Sequence, residues 1–258
     1  MHQLIHSTAV IDATARIGDN TTIGSYAVIE ADAVIGADCS IGSHAVIKSH
    51  TLIGDNNQIF EGAVIGGIPQ DLNFVGSKTV LKIGHRNIFR EGVTIHRSAS
   101  TKEATLVGND NYLMAHAHVA HNCVLEDHIV IANNVLLAGH VHIESHSFIS
   151  GGVVVHQFCQ IGQHSMIGGN SKVVQDVLPF FLADGIPART KAVNRVGLQR
   201  AGFSSNQASN LKRACRILSK TGLKLADRIA ALNEVDCTNV KHLVSFIERS
   251  ERGFCSFE

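Results

Sequence analysis

The sequence predicts a mainly β protein: a parallel β-helix of six-residue repeats, followed by a small C-terminal α-helical domain. Three observations carry that expectation. Isoleucine stands at 11, 17, 23, 29, 35, 41, 47, 53, 59 and 65, an unbroken spacing of six. A small residue precedes many of them by two places, as at Ala9, Ala15, Ala27, Ala33 and Ala45, and Gly follows directly at 18, 24, 36, 42, 54 and 66. Past about residue 190 the six-residue period gives way to helical spacing.

A period of six matches neither the turn of an α-helix nor a heptad, but it suits a short strand followed by a turn. β-Branched side chains dominate the large apolar position, which favours strand. Three such repeats per coil make a stack in which each coil hydrogen-bonds only to its neighbours. The large residue fills the interior and the small one leaves room for it. The period resumes at Ile83, Phe89 and Ile95, then runs from Val107 through Leu113, Val119, Leu125, Ile131, Leu137, Ile143, Ile149, Val155, Ile161 and Ile167 to Val173. Together the repeats make about eight coils, roughly 40 Å of prism at ~4.8 Å per strand.

The interruptions predict loops. Ile95 and Val107 are twelve apart, so "RSASTKEAT", at about 97–105, holds one repeat of excess chain. Ile65 and Ile83 are eighteen apart, which fits one coil or a loop; the Pro and Gly of "GGIPQDLNFVGS" favour a loop at about 66–78. Pro69, Pro179 and Pro187 all fall outside the repeats, as ladder hydrogen bonding demands. The β-helix is expected over 1–186. Residues 187–258 are expected to form a connector, "ADGIPARTKAVNRVGLQRAGF" spanning the join, and then helices. Leu211, Ala214, Ile217 and Leu218 have i, i+3, i+4 spacing, as do Val240, Leu243, Val244 and Ile247.

Composition narrows the function. The 258 residues carry 22 Lys and Arg against 22 Asp and Glu. That balance argues against a nucleic-acid partner held through phosphates. No apolar run approaches the roughly 18 residues of a membrane span. The start, "MHQLIHSTAV", lacks the basic and apolar regions of a signal peptide. Six cysteines without metal-knuckle spacing read as reduced thiols of a cytoplasm. Cys123 and Cys159 share one small slot two coils apart, roughly 9.6 Å, beyond disulfide reach, and are expected to be core fillers.

Sixteen histidines are the compositional oddity. "MAHAHVAHNC" sets His116, His118 and His121 close together. Positions eighteen apart share a face, so Val119, Leu137 and Val155 stack. His118 and His121 flank Val119, His140 follows Leu137, and His156 follows Val155. Looping out 97–105 brings Ile95, and His96 with it, to the same column, and both loops then leave from one corner. Three readings compete: solvated decoration, a metal site and proton chemistry. Zinc bound at a subunit interface, as in trimeric β-helices of the γ-carbonic anhydrase class, is the metal alternative. His116 falls on a different face from His121, however, and zinc needs three or four converging ligands, so no metal is expected. Histidine accepts and returns a proton near neutrality, which favours proton chemistry on a cleft edge.

The motifs "NFVGSKTVLKIG", "TIHR", "AHVAHNC", "LLAGHV", "VVHQF", "IGGNSKV" and "VNRVGLQRAGFS", in this order along the chain, resemble the acyl-[acyl carrier protein]–UDP-N-acetylglucosamine O-acyltransferase family of lipid A synthesis. The resemblance implies the left hand of the β-helix, against the right-handed rule for parallel crossovers. It implies a cytoplasmic enzyme of a Gram-negative bacterium, a homotrimer with active sites between prisms, and no cofactor. The donor would be a 3-hydroxyacyl chain on acyl carrier protein and the acceptor a UDP-amino-sugar. By resemblance His121 is the general base and the Gly139 N–H an oxyanion donor. His118, His140 and Asp71 would hold the sugar. His96, His156, Gln157, Asn194 and Arg200 would meet the nucleotide and diphosphate, and Gly169 would limit the acyl tail.

Four positions depart from the family pattern. Asn122, beside the base, replaces an Asp; Asn73, in the substrate-binding loop, replaces a Lys; Val196 replaces a Glu; Ala201 replaces an Arg. A neutral Asn122 suits an amine acceptor, so a 3-amino analogue of the sugar, giving an amide, stays open as the alternative. A catalytically silent scaffold is the alternative from another class, but it leaves the histidine column unexplained.

Overall fold

Each six-residue repeat becomes a strand of two residues and a tight corner in the computed structural model, which describes residues 5–258. Residues 1–4, part of the span read as β-helix and of the start read as lacking a signal peptide, lie outside the described residues. The second corner residue is left-handed, as at Asn20 (φ 58°), Asp38 (φ 55°) and His140 (φ 61°). Asn, Asp and His are the side chains that tolerate this conformation best after glycine. Seven of the sixteen histidines (His44, His50, His116, His128, His140, His146 and His164) occupy such corners. Much of the histidine excess is therefore a backbone requirement rather than chemistry.

Three corners close one coil, and the coils stack as a left-handed parallel β-helix. Among the described residues, face 1 has nine strands, from Val10–Ile11 to Lys172–Val173. Face 2 has eight, from Arg16–Ile17 to Gln160–Ile161, and face 3 begins at Thr22–Ile23. Register advances by one coil, Val28 on Val10 and Val46 on Val28. Across the interruptions Ile65 pairs with Ile95, and Ile83 pairs with both Ile53 and Val107. The chain between 68 and 79 and between 97 and 103 thus leaves the coils, both times from the corner between faces 1 and 2.

The second residue of each strand points inward. Ile47, Ile65, Ile95, Ile131 and Leu137 are fully buried, and each such side chain contributes roughly 1.5–3 kcal/mol. The small slot holds Ala27, Ala45, Cys123 and Cys159, all buried, with the cysteines free. In three coils the slot admits Asn57, Asn87 and Asn111, whose side chains accept from the backbone N–H one coil on, so their burial is compensated.

The expected connector is ordered. Phe181–Gly185 and Ala188–Val193 form an antiparallel hairpin that extends face 3 past Met166–Ile167. Its alternation, with Ala188 and Thr190 buried and Arg189 and Lys191 exposed, has a period of two that a search at six misses. Four helices follow: α1 (Arg195–Arg200), α2 (Ser205–Leu218), α3 (Leu225–Asn233) and α4 (Thr238–Arg249). Ser204 and Gln207 start α2 with a reciprocal capping box, and α2 buries Leu211, Ala214 and Leu218. The helices are latched to the prism at Glu144, which accepts from His242, from Arg249 and from the Gln163 N–H. Burial opposes ionisation of Glu144, but these donors outweigh it and hold its carboxyl below the usual range. Among the described residues no helix is long and apolar enough to cross a membrane.

Candidate active site

Face 1 and its corners gather most of the predicted site residues. Thr94, His118, Leu136 and Val154 are register neighbours and form one outward row, while Ile95, Val119, Leu137 and Val155 form the inward one. An open groove runs over the outward row, bordered by Gln70 from the first loop and by His116, His118, His121, Gly139 and Gln157. His116, expected on a separate face, stands at the preceding corner yet lines the same groove, because a face two residues wide brings both of its corners to one surface. Among the described residues no three His, Cys, Asp or Glu side chains are grouped to hold a metal ion.

His121 is held from one side only. Its Nδ1 lies 2.9 Å from Asn122 Oδ1, and that same oxygen accepts from the Ala99 N–H at 2.9 Å. The Asn122 amide nitrogen donates to Ser98 Oγ (2.8 Å) and to Glu103 Oε2 (2.9 Å). With the amide oriented by these partners, Oδ1 can only accept, so His121 Nδ1 carries the proton and Nε2 is left with a lone pair. Asn122 is buried in a left-handed corner (φ 59°), and its own N–H donates to Thr105 Oγ1.

Gly139 faces that lone pair. A Cβ built on Gly139 would stand 2.7 Å from His121 Cε1 and 2.9 Å from Nε2, so only glycine lets the ring approach. Gly139 is buried, yet its N–H finds no acceptor among the described residues. Gly139 borders the open groove, so this N–H is free to donate to an acceptor bound there.

The other predicted residues divide between this groove and other surfaces. The His121 and His140 rings meet edge to face at 5.4 Å, and His140 stacks on Phe158 at 4.5 Å. His118 Nδ1 pairs with Thr94 Oγ1 at 2.8 Å, and His96 Nδ1 donates to the Ile68 carbonyl, fastening the first loop over the groove. Asp71 folds that loop by accepting from the Asn73 N–H, and Asn73 itself is exposed. His156 is exposed with Gln157 beside it. Gly169 lies on the opposite corner of face 1, where an added Cβ would meet only ordinary contacts.

Asn194 and Arg200 are not at the groove. They line a cavity over face 3 with His128, His146, His164 and Met166. Asn194 is committed to structure: it caps α1 through the Gly197 N–H and donates to the His164 carbonyl. Arg200 is exposed and makes no hydrogen bond or ion pair among the described residues. Sequence reasoning missed Ser98, Glu103 and the Ala99 N–H, since an aperiodic loop gives no register. Thr94 was findable, because it occupies the row of His118 one coil earlier.

Burial pushes His118 down to about 4, with His96 adding to it, and pushes His164 down to about 4 with help from His146. Burial and a histidine neighbour also lower His96, His140 and His146. In the unfolded chain the His118 and His164 imidazoles take a proton near 6.5, whereas the folded chain refuses it until about 4. Between those values the unfolded state binds more protons, so acid favours unfolding. The melting temperature is expected to fall as pH drops from about 6.5 to about 4. A melting temperature flat over that window, measured by calorimetry, would contradict this.

The comparisons agree with the fold. Residues 14–49 match the bacterial transferase hexapeptide model (six repeats), and residues 176–255 match domain 2 of UDP N-acetylglucosamine O-acyltransferase. The acyl-[acyl-carrier-protein]–UDP-N-acetylglucosamine O-acyltransferase of Paraburkholderia phymatum is 46% identical, over 96% of this chain and 98% of its own length. LpxA from Acinetobacter baumannii superposes with a TM-score of 0.95 at 39% identity, covering 98% of this chain and 100% of that one. LpxA of Bacteroides fragilis, a UDP-N-acetylglucosamine acyltransferase, gives a TM-score of 0.93 at 36% identity, covering 96% and 98%. Near end-to-end identity of this order, on the same coils and with the same helical domain, leaves one conclusion: the chain belongs to the acyl-[acyl-carrier-protein]–UDP-N-acetylglucosamine O-acyltransferase family.

Proposed function

We propose that the protein transfers a 3-hydroxyacyl chain from acyl carrier protein to the 3-position of UDP-N-acetylglucosamine, in lipid A synthesis, with His121 as general base. One observation carries the mechanism: Asn122 fixes the proton of His121 on Nδ1, leaving the Nε2 lone pair beside Gly139, whose N–H has no partner among the described residues. The sugar hydroxyl gives its proton to Nε2 as its oxygen bonds to the thioester carbonyl carbon. The carbonyl oxygen becomes an oxyanion that accepts from Gly139 N–H. As the intermediate collapses, the C–S bond breaks and Nε2 returns the proton to the departing thiolate.

In this reading His118, His140 and Asp71 hold the glucosamine ring, and His96, His156 and Gln157 meet the nucleotide. Arg200 reaches a phosphate, with Asn194 placing the start of its helix. Because Arg200 belongs to face 3 and the groove to face 1, one chain cannot assemble both halves. A homotrimer, about 83 kDa from chains of 27.7 kDa, sets the face-3 cavity of one prism against the groove of the next. The acyl tail then lies between prisms over Leu136 and Val154, which are unusually exposed for their type, and Gly169 leaves its path open.

A second acceptor, the 3-amino analogue, is favoured by one feature: Asn122 offers no formal charge to an imidazolium, which a hydroxyl acceptor needs more than an amine does. Mass spectrometry of products from a defined acyl carrier protein and each UDP-sugar tests both. The hydroxyl sugar is expected to give an O-acyl product with the higher kcat/KM. No product from either sugar would overturn the assignment, and a preference for the amine would replace the acceptor.

A further inference from the structure

Deepening the reading of His121 as the base, and resting on it, we propose that Glu103 is a positioning residue whose carboxylate, acting through the Asn122 amide, steadies the imidazole as it takes up a proton. The connection is continuous. Glu103 Oε2 accepts from Asn122 Nδ2 at 2.9 Å, and Asn122 Oδ1 accepts from His121 Nδ1 at 2.9 Å. The amide cannot turn over. Reversed, its NH2 would meet the Ala99 N–H, and its oxygen would face the Glu103 carboxylate. A carboxylate at the donor end of an amide polarises it, so the oxygen facing His121 becomes a stronger acceptor.

The loop has a reason to hold Glu103 here. Asn122 carries no charge of its own, and its left-handed corner fixes where its amide points. Ser98 takes the other amide hydrogen and also ties the loop to itself through the Ser100 carbonyl, so 97–103 returns over Asn122. Among the described residues the other titratable groups around His121 or in its groove are His140, His96, His116, His118 and Asp71. None of these reaches the Nδ1 side through hydrogen bonds, whereas Glu103 does. The network thus splits one role between two residues: Asn122 sets the tautomer and Glu103 supplies the charge. This arrangement also favours a hydroxyl acceptor, since the charge an imidazolium needs is present one bond further out.

The test compares full-length wild type with Glu103→Gln, the double variant Glu103→Gln/Asn122→Asp, and His121→Ala, by steady-state kinetics across pH with thermal melts alongside. Glu103→Gln keeps a hydrogen-bond acceptor but loses the charge. It is expected to lower kcat about tenfold with KM nearly unchanged, and to move the acid limb of kcat/KM to lower pH by about one unit. The double variant puts the carboxylate directly on Nδ1 and is expected to recover to within about threefold of wild type. A residue that merely props up the loop would show no moved acid limb and no rescue. Wild-type kinetics in Glu103→Gln, or a double variant no faster than Glu103→Gln, overturns the proposal. His121→Ala separates the two ideas: if it keeps wild-type rates the base assignment itself falls, whereas if it is inactive and Glu103→Gln is unaffected, only the role of Glu103 falls.

Discussion

Alanine at His121 is expected to lower kcat by about 10²–10⁴-fold, some 3–5 kcal/mol of transition-state stabilisation, while the prism stays folded. A sugar hydroxyl is a poor nucleophile until its proton has somewhere to go, and Nε2 of His121 is the lone pair that the hydrogen-bond network leaves open. The fold does not depend on this ring. It lies outside the inward row, where Val119 and Leu137 do the packing, and among the described residues the ring hydrogen-bonds only to Asn122. Circular dichroism and a thermal melt close to wild type should therefore accompany the lost turnover. If the variant instead retains activity that a chelator abolishes, zinc chemistry replaces the base.

Alanine at Gly139 is expected to cost about 10²-fold in kcat, although it deletes nothing. The backbone N–H remains, so the proposed oxyanion donor is still in the chain. The new Cβ, however, would stand 2.7–2.9 Å from Cε1 and Nε2 of His121, and the ring must swing away from its place beside that N–H. A displacement of about 1 Å between base and reacting atoms is enough for a loss of this size. Alanine at Gly169, where a Cβ meets the Gly151 carbonyl at 3.5 Å, is a control for the fold alone, read by a thermal melt and not by turnover. If Gly139→Ala turns over at the wild-type rate, the ring is not confined as the structure indicates.

The β-helix was legible from the amino acids because a stack of coils is one-dimensional. Each repeat must bury its own isoleucine against the next coil, so the period of six, the small slot at Ala27 or Cys123, and the column of Ile95, Val119, Leu137 and Val155 are all written locally. Counting eighteen brings His118, His121, His140 and His156 to one column for the same reason, and His96 joins them once 97–105 is set aside as a loop. Counting alone overstated the message of the histidines, since seven of the sixteen fill left-handed corners. Other features needed the tertiary structure. The hairpin at 181–193 alternates by two, and its partner strand, Met166–Ile167, is chosen by where the prism ends. The resemblance gives Asn194 and Arg200 a nucleotide role like that of His156 but not their place: they stand over face 3, because the hairpin carries the helices there. The loop 97–103 has no period, so nothing in "RSASTKEAT" says that Ser98, the Ala99 N–H and Glu103 close on Asn122. Repetition makes a side chain's direction computable from its number, whereas an aperiodic loop acquires direction only from what it packs against.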